Sequence, residues 1–384
     1  MSDAVSLTNE RNQIFRNLFS GKIPKRVPLS NPATQDFAIE YAGLNLAECQ
    51  WDLTKLGPVY EKFCQDFRTD TYPGGSIRIP SHYQLLGSKP IVMSSSGFMQ
   101  HPEVVGLLAE EYDQFISSPY DCIIETILPR LYTEFNGKPG KVAMALAKAV
   151  RAQSDDLAFL GTIRAKMTAQ YGYATMGVAL TEAPFDFMAD FLRSFKGISG
   201  DVRRYPDKVA AACEAVLPLM IKKGTLPNPS MLGYSFIPLH MAPYLRDKDF
   251  ASLYWPTFKK LVEALSNMGQ TVYLFVENDW MRYLDYLYEL PENTIMRFEY
   301  GDPRLVKEKL GKKHIISGFY PITLLQTGTK EQCIDKAKEL LDILAPGGGY
   351  WWQADKSIIN LDVNSPVVEN LKAVLEYVSE NGTY

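Results

Sequence analysis

Long hydrophobic runs are missing from this chain. No apolar stretch approaches the roughly 18 residues that a bilayer span requires, so no membrane segment is expected. Cysteine is scarce: Cys49, Cys64, Cys122, Cys213 and Cys333 are odd in number, scattered, and include no CxxC pair. That excludes a disulfide framework and a zinc knuckle, and predicts reduced thiols. Positive charge is not concentrated anywhere. Lys and Arg number 40 against 44 Asp and Glu, a net charge of −4 with the signs interspersed, so no nucleic-acid partner is expected. Phosphate loops are absent too, because Gly347-Gly348-Gly349 precedes a strand-like run and neither GK[ST] nor G-x-G-x-x-G follows it. The beginning of the chain is polar and then helical, unlike a signal peptide. What is left is a cytoplasmic globular protein whose 46% hydrophobic content supports a large core.

The informative part is the last third. Apolar runs at 232–238, 271–276, 294–298 and 314–318 are too short for helices and rich in β-branched and aromatic residues. Each is followed by an amphipathic stretch, the pattern of parallel βα units. Directly after three of these strands stand His240, then Glu277-Asn278-Asp279, then Glu299-Tyr300-Gly301-Asp302. In a parallel barrel such positions share one rim, the usual seat of chemistry. Earlier in the chain, 9–19, 51–67, 102–117, 120–135, 138–173, 181–197 and 206–223 read as helices. Short strands are expected over Arg26-Val27-Pro28-Leu29-Ser30 and over 89–97, and Pro73-Gly74-Gly75 marks a turn. No linker or fixed repeat appears, so residues 1–384 read as one α/β domain, a (β/α)8 barrel with helical additions within 1–135.

Several motifs resemble the uroporphyrinogen decarboxylase superfamily and, within it, a corrinoid-dependent methyltransferase branch. They are Lys25-Arg26-Val27-Pro28-Leu29, Glu110-Glu111-Tyr112-Asp113 with Leu128-Pro129-Arg130, and Ala183-Pro184-Phe185-Asp186 with Leu192-Arg193 and Asp201 to Pro206. Further on stand Ile237-Pro238-Leu239-His240, Tyr254-Trp255-Pro256, Phe275-Val276-Glu277, and Leu324 to Thr329 before the triple glycine. Two departures narrow the resemblance. Pro28 to Thr34 stands where the decarboxylase carries its arginine-rich propionate loop. No His-x-Cys pair or late cysteine provides the sulfur-rich zinc site of the thiol-methylating members. The resemblance therefore implies a distorted TIM barrel acting as the methyltransferase component of an O-demethylase. Such an enzyme moves a methyl group from a small methoxylated compound to cob(I)alamin on a separate corrinoid protein. A decarboxylase of another polycarboxylate, or a binding protein on the same barrel, stands as the alternative.

A methyl ether gives up its methyl group only if the departing oxygen is protonated or held by a Lewis acid. Glu277, His240 and Glu299 are the expected catalytic set, with Asp302 and Asp355 nearby. Two readings stay open. Clustered acids would keep one carboxyl protonated as a donor, or His240, Glu277 and Glu299 would bind zinc. Asp302 is better placed as a helix cap. His314, which opens a strand, should face the opposite end of the barrel. Tyr234, Phe236, Phe319, Tyr320 and Trp352 are candidates to stack on an aromatic donor, Ser94 to offer a hydroxyl, and Arg282 to hold Glu277 or a substrate carboxylate.

Overall fold

The segment Thr271–Val276 shows how the local sequence makes the architecture. Its residues are all β-branched, aromatic or leucine, and apolar side chains point to both sides, as in a strand covered on both faces. The computed structural model describes residues 2–75 and 77–384. In it a short antiparallel hairpin, β1 (Val92–Met93) and β2 (Met99–Gln100), stands apart from a six-stranded parallel sheet. The sheet runs in order β3 (Gly177–Leu180), β4 (Gly233–Leu239), β5 (Thr271–Val276), β6 (Ile295–Phe298), β7 (Ile315–Gly318) and β8 (Tyr350–Trp351).

Two further staves close the sheet into a (β/α)8 barrel without long ladders. Residues 27–30 lie beside the end of β8, with Trp352 N donating to Pro28 O at 3.0 Å and Ser30 N to Trp352 O at 3.2 Å. Residues 69–72 come next, through Asp70 N to Leu29 O at 2.9 Å. Ala174 N then donates to Asp70 O at 2.9 Å, which leads into β3. The Asp70 carboxylate reinforces this seam, accepting from Arg26, Arg11 and the Leu29 amide. Above Ala174, β3 has β4 as its one strand neighbour in the sheet.

Alternation along the strands divides the core into two populations. Ser235, Ile237, Leu239, Val272, Leu274, Val276, Met296, Phe298 and Ile316 face the surrounding helices. Tyr234, Phe236, Tyr273, Ile295, Ile315 and Trp351 face the barrel axis. The N-terminal helix Ser2–Phe19 closes the bottom of that inner space. Its Phe15, Leu18 and Phe19 are buried against Trp351, Phe15 at 5.0 Å between ring centroids.

Helices occupy most expected positions, with differences that have physical causes. The helix expected over 102–117 is confined to Tyr112–Ser117 after a single 3-10 turn at Ala109–Glu111. The strand expected over 89–97 shrinks to β1, because Ser94 to Gly97 make the hairpin turn. The stretch 181–197 is broken by a π-helical turn at Met188–Arg193 that ends at Ser194, a non-glycine residue with φ of 64°. The long helix Pro139–Tyr171 begins with proline at its first turn and stops at Gly172 in the left-handed region. Among the described residues, no helix is long and apolar enough to cross a membrane. All five cysteines are buried free thiols.

Candidate active site at the barrel mouth

Strand β4 ends at Leu239 and β5 at Val276, and these two residues are partners in register, so His240 and Glu277 emerge side by side at the carboxyl-terminal rim. His240 Nε2 lies 3.2 Å from Glu277 Oε1. On its other edge, Nδ1 lies 2.6 Å from Asp190 Oδ2. Asp190 comes from the π-helical turn, one turn after Asp186. π-bulges of this kind recur at functional sites because they re-aim side chains within a helix.

Asp186 fixes the backbone of the same corner. It is fully buried and accepts from His240 N at 3.2 Å, Met241 N at 2.9 Å and Tyr254 Oη at 2.7 Å. Burial pushes its pKa up to about 7, with nearby His240 drawing it down and Asp190 pushing it up. The imidazole responds in the opposite sense. Burial alone would neutralise it, but its hydrogen bonds to Asp190 and Glu277 outweigh that penalty and raise its pKa to about 11. At neutral pH His240 is therefore an imidazolium with both ring N–H groups donating. The side chains of His240 and Glu277 remain 36% and 30% exposed, so the pair faces the open mouth.

Glu299 stands one strand further round the rim. Its Oε2 accepts from Asn278 N at 2.8 Å, and Oε1 is paired with the Lys356 ammonium. Burial opposes ionisation of Glu299, yet these two donors hold its pKa below the usual carboxylate range. Asn278 takes the left-handed conformation, φ 61°, which turns the chain sharply after Glu277. Asp302 caps the helix Pro303–Leu310 by accepting from Arg304 N at 2.8 Å. Asp355 accepts from the Ile322 and Lys356 amides.

The expected zinc set is not assembled. His240 and Glu277 meet, but Glu299 is tied to Lys356 and Asn278. Among the described residues no group of three or more His, Cys, Asp or Glu is arranged to hold a metal ion. Two protein donors fall short of the three that a catalytic zinc takes.

The expected aromatic wall is present only in part. Tyr234 and Phe236 face the barrel interior, each in contact with Tyr273 at 5.3 and 5.2 Å between centroids. Tyr320 and Trp352 turn the other way, into the helix-facing core, where the Tyr320 hydroxyl donates to Cys333 O at 3.1 Å. Phe319 joins them, stacked on Phe298 at 5.2 Å. Its φ of 66° marks a reversal of the chain after β7 that breaks the strand alternation. Ser94 lies in the hairpin turn, where its hydroxyl accepts from Phe98 N at 3.1 Å. Arg282 does not touch Glu277. It clamps the loop after β4 through Pro243 O at 2.9 Å and Leu245 O at 2.7 Å, with Asp247 at 3.3 Å. His314 is buried and bonded to Tyr288 O at 3.4 Å, with its pKa pulled down by burial to about 4.

Sequence reasoning missed Asp186 and Asp190. The first stands in the Ala183-Pro184-Phe185-Asp186 motif, and the second follows it at helical spacing, so a carboxylate pair on one helix face was the available signal. It also missed that β3 lines the interior: Val178 and Leu180, paired in register with Tyr234 and Phe236, are 48% and 47% exposed on the open side of the barrel.

No protein-family model matches this chain, and no curated protein matches it. A solved methyltransferase from Methanosarcina mazei superposes with a TM-score of 0.63, over 96% of this chain and 98% of that one, at 14% sequence identity. The two share a fold. It is a parallel barrel wrapped by many helices, and the likeness runs through nearly the whole of both chains.

Proposed function

We propose that this protein is a methyltransferase that takes a methyl group from a small methoxylated, aromatic donor and delivers it to cob(I)alamin carried on a separate corrinoid protein. The observation that carries the reading is the Asp190–His240–Glu277 chain of hydrogen bonds at the rim, above an aromatic-walled interior. Support comes also from the whole-length likeness to a methyltransferase fold and from the motifs of the corrinoid-dependent branch.

In the reaction the methyl carbon forms its bond to the cobalt nucleophile while its bond to oxygen breaks, and the departing oxygen takes the electron pair. That oxygen needs a proton or a positive partner. His240 supplies both: Nε2–H is directed into the mouth, and Asp190 on Nδ1 keeps the ring cationic and oriented. A donor with pKa about 11 is well matched to a phenolate, whose conjugate acid titrates near 10. Glu277 holds the Nε2 proton before the donor arrives and competes for it afterwards. The product is the free phenol, with the proton of His240 replaced from solvent. Glu299, its charge balanced by Lys356, stands beside this site at the end of β6.

The deciding experiment is an anaerobic assay of the purified protein with a reduced corrinoid protein and a panel of methoxylated arenes. Methyl–cobalt formation with at least one donor, lost in His240→Ala, is the expected result. No methyl–cobalt with any donor and any corrinoid protein tested would remove the reading.

A further inference from the structure

Strand β6 carries a charge where a barrel strand ordinarily has none. Of Ile295–Phe298, Ile295 faces the axis and Met296 and Phe298 face the helices, so Arg297 faces the axis. Its Nε donates to Ala354 O at 2.8 Å, and its guanidinium lies 4.8 Å from the Phe275 ring centroid. Among the described residues it makes no ion pair and no other hydrogen bond. It is half-buried, and the Glu299 and Asp355 carboxylates act on it without forming an ion pair, so its outer nitrogens are left for an anion that arrives with a ligand. Its planar fork suits a carboxylate.

The neighbouring strand offers a second observation. Ser317 is the register partner of Arg297, is fully buried, and lies on the same inward face as Ile315; its hydroxyl has no hydrogen-bond partner. An unpaired cation and an unpaired hydroxyl thus sit side by side. Phe275, under the guanidinium, precedes Glu277 by two residues on β5, a rise of about 6.6 Å. That is the span of a benzene ring from one substituent to the one opposite. Leu180 and Phe236, in register with Tyr273, provide apolar wall below the level of Phe275.

We infer that Arg297 is the anion anchor of the donor site, so that the donor is an aromatic acid whose carboxylate rests on Arg297 and whose methoxy group stands opposite, at His240 and Glu277. This rests on the methyl-transfer reading for the role of the methoxy end, but the anchor itself is a binding site. Arg282, the other arginine near the rim, is already engaged by backbone carbonyls and Asp247.

The test is calorimetric titration of the full-length protein with 4-methoxybenzoate and with its neutral isostere 4-methoxybenzamide. Removing one partner of a buried charge pair costs about 30- to 5000-fold in affinity. The wild type should therefore bind the acid at least about 30-fold more tightly than the amide. Arg297→Met should abolish that preference, while Arg297→Lys retains part of it, each with a circular-dichroism spectrum and melting temperature like those of the wild type. Equal affinity of the wild type for acid and amide overturns the anchor without any variant, as does a folded Arg297→Met protein that still prefers the acid. Methyl transfer from neutral methoxybenzene as fast as from the acid would overturn the anchor and leave the methyltransferase reading intact. Arg297-dependent binding of the acid with no methyl transfer to any acceptor would uphold the anchor and remove the methyltransferase.

Discussion

His240 and Asp190, fifty positions apart in the chain, meet at 2.6 Å between Nδ1 and Oδ2, and this contact sets the charge of the imidazole at the mouth. Replacing Asp190 with Asn keeps the shape and removes the negative partner. The His240 pKa, read from imidazole carbon shifts in a pH titration, should fall from about 11 toward its ordinary value. Methyl transfer at neutral pH should fall by about 100-fold or more, as expected for loss of a positioned proton donor. An unchanged titration would show that the contact does not govern the ring.

The acid side of the stability curve has a separate source in His314. Burial holds it neutral in the folded protein, with a pKa of about 4 against an unfolded value near 6.5. The unfolded chain therefore binds the extra proton between those two values, and stability is lost as the pH falls through that window. Urea unfolding at pH 7 and pH 4 should show the wild type losing about 3 kcal/mol more than His314→Gln.

Arg193 and Asp201 form an ion pair at 2.6 Å in which the carboxylate is fully buried, and Tyr112 donates a further hydrogen bond at 2.9 Å. Asp201→Ala leaves the guanidinium buried without its counter-charge. Denaturant titration should record a loss of about 3–5 kcal/mol, and Arg193→Met in the same background should recover part of it.

Phe15, fully buried beneath the strands, packs edge-on against Trp351. Phe15→Ala should destabilise the protein by about 3–5 kcal/mol through the space it leaves. The change should appear in differential scanning calorimetry as a lower melting temperature.

The alternation of strand and helix in the last third was legible because parallel strands are covered on both faces and so read as short apolar runs. The strand at 271–276 matches its observed bounds, and those at 294–298 and 314–318 differ by one residue at the start. The stave at 27–30 was also legible as a short strand, whereas the one at 69–72 is held by a few backbone bonds and leaves little hydrophobic pattern to read. The meeting of His240 with Glu277 follows from strand ends in register and was within reach of sequence. The partner of Nδ1 was harder: the spacing of Asp186 and Asp190 marked a carboxylate pair, but the π-helical turn that aims Asp190 is not written in the pattern. Phe319 points outward because its positive φ breaks the inward–outward alternation, whereas Tyr320 and Trp352 fall on the outward side by plain alternation from Ile315 and Trp351. Arg297 offered a signal that went unused: a lone cation within the four-residue strand Ile295–Phe298 is improbable in a core unless something neutralises it.

With Phe15, Leu18 and Phe19 stopping the floor of the barrel, the end that carries His240 and Glu277 is the open one. On the proposed reading, a small donor and a bulky cobalt carrier would share one doorway and could not come in arbitrary sequence. The donor has to be seated before the carrier covers the opening, and the demethylated product can leave only after the carrier departs. Steady-state kinetics should accordingly be compulsory-ordered, with the carrier competing against product escape.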